Sequence, residues 1–89
     1  MSLTEKSYVR DADTIARCRD LVDLFTREKR RLTDALIAAH ERGDDAAFEH
    51  ADARLTRVME TLADAMREGE EATRRWNLPS FEAHLRIRR

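Results

Sequence analysis

The sequence predicts an all-α protein: a long antiparallel helical hairpin with helices over about 8–42 and 45–77, a short C-terminal segment, and dimerisation into a four-helix bundle. Three observations predict it. The 89 residues are 42% hydrophobic and 39% charged, with only two Gly, one Pro and 6% aromatic residues, a composition that suits long helices and leaves strands without material. The apolar positions on either side of Glu41-Arg42-Gly43-Asp44-Asp45 are mirror images. The second of the two apolar stripes is also wider than a two-stranded coil requires.

The mirror is visible residue by residue. Ile15, Cys18, Val22, Phe25, Lys29, Leu32, Leu36 and Ala39 follow the alternating spacing of a and d heptad positions, and so do Phe48, Ala51, Leu55, Val58, Leu62, Ala65, Gly69, Ala72 and Trp76. Folded at Gly43, the lists pair so that the residue numbers of every pair add to the same total. Large faces small across most layers: Phe48 meets Ala39, Leu36 meets Ala51, Val22 meets Ala65, and Ile15 meets Ala72.

The chain forms one domain, 1–89, with residues 1–7 expected as a flexible N-terminus. The start of the first helix is open, because Ser2 with Glu5 has capping-box spacing and Ser7, Asp11 and Asp13 each suit an N-cap. Tyr8 extends the heptad and favours an early start. Gly43 suits the left-handed position that closes a helix, and Asp44 or Asp45 then caps the second helix while placing negative charge at its N-terminus. Pro79 stops that helix. Within residues 80–89, Ser80 can cap a third segment, Phe81 to Ile87, that docks on the open end of the hairpin; a frayed tail is the alternative.

A lone hairpin leaves apolar residues beside its seam uncovered. Leu21, Met59 and Met66 flank the seam, and they are the expected homodimer interface.

Charge restricts the function classes. Seventeen basic and 18 acidic residues, net charge -1, are interspersed along the helices, so there is no global attraction to nucleic acid or anionic lipid. No apolar run approaches the ~20 residues of a membrane span. One cysteine forms no internal disulfide and no leader segment precedes Asp11, so the expected location is cytoplasmic.

The residues with chemistry have structural readings. Cys18 faces Gly69 as a small core residue, and Lys29 is the one charge in the seam, where a lone polar residue fixes register or oligomer state or else runs past Val58 to solvent. His40 and His50 do not converge, so no metal or other cofactor is expected. Arg27, Lys29, Arg30 and Arg31 wrap most of the way round a helix without interleaved aromatics. No family resemblance follows: the bend lacks the Trp-x-Gly of short secreted helical hairpins, and no spaced Arg, Lys and Glu set matches small all-helical chorismate mutases.

The open end differs. Tyr8, Trp76, Phe81 and Leu85 can gather around Pro79 beside Arg74, Arg75, Arg86, Arg88 and Arg89, giving aromatic anchors rimmed by arginines. The functional expectation is therefore a small non-enzymatic interaction, adaptor or structural module, a homodimer, with an acidic protein partner at this end. Two alternatives are a binder of nucleic acid or an acidic partner through the arginine clusters, and a small helical enzyme using Lys29 on an anionic metabolite.

Overall fold

The structure is a computed structural model that describes residues 3–87. Its elements are α1 (Leu3–Arg42), α2 (Asp45–Arg75) and α3 (Phe81–Ile87), with no strand among the described residues. The molecule measures 59 × 23 × 16 Å, and the length of α1, at ~1.5 Å per residue, accounts for the long axis.

The bend uses the expected chemistry. Gly43 sits at φ +68°, and the Asp44 carboxylate accepts the Ala47 N–H at 3.1 Å, capping α2. The far end of α2 closes at Arg75, two residues before the expected Asn77. Asn77 takes the left-handed φ of +50° and donates its N–H to Arg74 at 3.2 Å, while the Leu78 N–H reaches the Thr73 carbonyl at 3.0 Å. These two bonds make a Schellman cap, in which Asn does the work usually given to Gly.

Burial follows the mirrored heptads. Ile15, Cys18, Leu32 and Ala39 of α1 and Ala51, Val58, Ala65, Gly69 and Ala72 of α2 are buried, while Val22, Phe25, Leu36, Phe48, Leu55, Leu62 and Trp76 are half-buried. The fully hidden positions are therefore mostly small ones, and the bulky seam residues keep an edge in solvent.

One expectation, a helix boundary, is corrected. α1 begins at Leu3 and not near Tyr8, so residues 3–7, read as a flexible lead, are helical; residues 1 and 2 lie outside the described residues. Lys29 is exposed, as for a lysine that runs past the seam to solvent. Beside it Glu28 pairs with Arg31 on its own helix and with Arg54 across the hairpin at 3.4 Å. Gly69 makes room for α3: a Cβ placed there would lie 2.5 Å from the ring of Phe81. Leu21 and the two methionines flank the seam on opposite sides. Steps of seven place Leu21 with Glu28 on the flank where Arg54 and Thr61 lie, whereas Met59, Met66 and Thr73 follow the seam residues Val58, Ala65 and Ala72 on the opposite flank.

α3 docks. Phe81 is fully buried and joins Ile15, Cys18 and Ala72 in one core cluster, with Val22, Leu78 and Leu85 packed against it. The cause lies in the layer below. Cys18 and Gly69 are both small, so two helices alone would leave a hole there, and the Phe81 ring fills it.

Candidate partner site at the open end

At the open end the first turns of α1 meet the last turn of α2. Asp11 lies one heptad before Cys18, on the seam face of α1, so its carboxylate is carried into the packed end of the hairpin. There it is only 5% exposed. Arg75 answers it with two bonds, Nε to Oδ2 at 2.9 Å and Nη2 to Oδ1 at 2.8 Å, and the Trp76 indole N–H donates to Oδ2 at 2.6 Å. The bidentate guanidinium, with the indole and against the cost of burial, holds the Asp11 pKa at about 2, below its ordinary 3.8. Tyr8 then packs edge-on against Trp76, with ring centres 5.3 Å apart and planes at 83°.

Outside this latch lies a shallow, mainly apolar cleft of about 420 Å³ lined by Thr4, Glu5, Tyr8, Val9 and Trp76. Leu3, 83% exposed, and Val9, 45% exposed, are on the same helical end.

The residues expected to form one aromatic and arginine surface divide. Tyr8 and Trp76 are together and partly accessible. Phe81 is interior and presents no anchor to solvent, and Leu85 packs against the core while staying half-buried. Arg75 is engaged by Asp11, and the exposed Arg74 is 3.9 Å from Glu70. Of Arg86 only the backbone is described, and Arg88 and Arg89 lie outside the described residues. Sequence reasoning missed Asp11, Val9 and Leu3. Extending the heptad back one step from Cys18 lands on Asp11, the signal that was there to find it.

The other chemical candidates are held in structural roles. Burial and the adjacent Glu68 push the Cys18 thiol up, and that thiol donates to Glu68 Oε2 at 3.5 Å. Arg17 also meets Glu68, at 3.3 Å. In the basic run, Arg27 lies 3.7 Å from Asp23 and Arg31 grips Glu28, so acidic neighbours offset much of its field. Among the described residues no group of three His, Cys, Asp or Glu side chains can hold a metal ion, and no helix is long and apolar enough to cross a membrane. The chain was compared with protein-family models, curated proteins and solved structures, and none matches.

Proposed function

We propose that the protein is a helical-hairpin interaction module that works as a homodimer, with the methionine flank of the hairpin as the self-association surface. The observation that carries this reading is one strip of α2. Thr73, Met66 and Met59 recur every seven residues on the same flank; Thr73, at the end where α3 docks, is buried, while Met66 and Met59 remain 37% and 49% exposed. By heptad position the same flank also holds Thr26, Arg30, Thr33 and Ile37 of α1 and Asp52 and Ala63 of α2, with Lys29 beside Thr26 and Thr33, so a few charges border the methionines, while the opposite flank carries Glu28, Arg31, Arg54 and Arg57. A second hairpin laid on the methionine flank continues the cover that α3 begins, and the pair becomes a four-helix bundle.

Sedimentation equilibrium tests this. The wild-type chain, 10.4 kDa as a monomer, is expected at twice that mass, and Met59→Glu with Met66→Glu is expected to give monomers of unchanged helical content. Leu21→Glu, on the other flank, should leave the dimer intact. A wild-type monomer at all concentrations overturns the proposal.

The open-end cleft supports a second, subsidiary reading as a partner site. Its lining by Tyr8, Trp76 and Val9 suits an apolar side chain of a protein partner, and the acidic partner expected from the arginines loses support because Arg75 and Arg74 already face carboxylates.

A further inference from the structure

We infer that the flank of the hairpin opposite the methionines holds a site for a small aromatic phosphomonoester, with its ring on Phe25 and Val58 and its head group among Arg54, Arg57 and His50. This flank stays open to solvent when a second hairpin lies on the methionine flank, so the site is independent of self-association.

Spacing on α2 builds the site. His50, Arg54, Arg57 and Thr61 are separated by four, three and four residues, so successive turns carry them along one face of the helix. Together with Val58, and with Phe25 of α1 beside that face, they line a shallow cavity of about 370 Å³. That is the small end of ligand pockets, room for one ring and one head group.

The floor is apolar. Val58 is buried and Phe25 is half-buried. Among the described residues the Phe25 ring packs on no other ring, so the edge it keeps in solvent is uncovered. A flat ring laid there removes apolar surface of both partners from water. Thr61 spends its hydroxyl proton on the Arg57 carbonyl at 3.0 Å and brings no free donor to the cavity.

The rim is cationic, and no carboxylate lines it among the described residues. The cleft at the open end, by contrast, includes Glu5, and the cavity beside Arg75 includes Asp11, Glu68 and Glu71. Glu28 holds Arg54 at 3.4 Å but also grips Arg31, so one negative charge is shared between two guanidiniums. Arg57 has no ion-pair partner among the described residues. Three arginines therefore answer one glutamate, and positive charge is left over at the rim. The same surplus acts on Glu28: the hydrogen bond from Arg31, with the charges of Arg31 and Arg54, holds its carboxyl below the ordinary 4.5.

A phosphomonoester suits this rim better than a carboxylate does. A planar carboxylate is satisfied by one bidentate guanidinium, whereas a phosphate head carries three acceptor oxygens and more charge, and takes several donors at once. Two guanidiniums and an imidazole N–H on neighbouring turns supply that set.

Titration of the isotope-labelled full chain with phenyl phosphate at fixed ionic strength, followed by amide chemical shifts, tests this. Saturable shifts are expected at Phe25, His50, Arg54, Arg57 and Thr61. Phenol and inorganic phosphate, each with only part of the contacts, should bind weaker by about tenfold or more. Arg57→Gln should weaken phenyl phosphate by about tenfold or more, the loss of a charge-assisted hydrogen bond. Because Arg57 is exposed and without an ion pair, that variant should keep the helical circular dichroism of wild type. Arg30→Gln, on the methionine flank, should bind as wild type does. Shifts that rise without saturation, or that spread over the arginines of both flanks, mean charge screening and overturn the proposal, as does an Arg57→Gln variant that binds as tightly as wild type. Inorganic phosphate binding as tightly as phenyl phosphate overturns the aromatic ligand class. A short phosphotyrosine peptide that binds more tightly than phenyl phosphate reassigns the site to a protein partner and overturns the small-molecule reading.

Discussion

Two residues show how a single side chain, or its absence, organises this end of the molecule. Asp11 is a buried carboxylate stabilised only while it is charged, because three N–H donors point at its two oxygens. Its folded pKa of about 2 lies below the ordinary 3.8, so its contribution is complete above pH 4 and is lost as pH falls from there through 2. Asp11→Asn should therefore cost about 1 to 3 kcal/mol at pH 7, the range for hydrogen bonds to charged groups. The difference between wild type and variant should shrink toward pH 2. Urea melts of both proteins at pH 7, 4 and 2 measure it, and a gap that stays constant with pH would mean that the latch is not ionic. Gly69 argues in the other direction. Alanine is the better helix former by about 1 kcal/mol, yet its Cβ collides with a fully buried ring, and overpacking costs about 1 to 3 kcal/mol. Gly69→Ala is expected to be net destabilising by about 1 kcal/mol in urea titration, and a variant more stable than wild type would contradict the close packing of Phe81.

The elements meet through their ends. At the bend, Gly43 has φ +68° and open space where a Cβ would go, so only backbone conformation resists substitution. Gly43→Ala should then destabilise by about 1 kcal/mol and Gly43→Asn by clearly less, since Asn tolerates the left-handed region. Equal losses for the two variants would show that something other than φ governs the turn. α3 is tied to the hairpin by one buried ring and two half-buried leucines, Leu78 and Leu85. Phe81→Ala should cost about 3 to 4 kcal/mol, within the usual range for deleting a core phenylalanine. Amide exchange should accelerate most in α3 and in the neighbouring turns of α2, leaving the bend protected. Uniform acceleration along both long helices would instead make α3 part of one cooperative unit.

At the scale of the whole molecule, a hairpin 16 Å thick in its narrowest direction half-buries its largest seam residues, and this is the physical pressure toward a second copy. If two copies fold together, stability depends on concentration. A tenfold increase in protein should add about 1.4 kcal/mol to the dimer and raise its melting temperature, as circular dichroism melts at two concentrations will show. A melting temperature independent of concentration would argue for a self-sufficient monomer. Much of this architecture was legible in the chain. The mirrored heptads, Gly43 in the bend, Pro79 and the Phe81 to Ile87 segment specify the hairpin and its third helix, because period, capping and backbone restriction are local properties written in neighbouring residues. The open end was not legible in the same way. A tryptophan and a phenylalanine near an arginine cluster have the composition of a binding surface, and composition does not say which ring faces water. That was decided by distant partners: the buried Asp11, sixty-four positions from Arg75, takes up the donors of that arginine and of the Trp76 indole. The hole left by Cys18 opposite Gly69 drew Phe81 into the core. Burial depends on what lies across the layer, so only the tertiary structure separates the residues that hold the fold from those it leaves exposed to a partner.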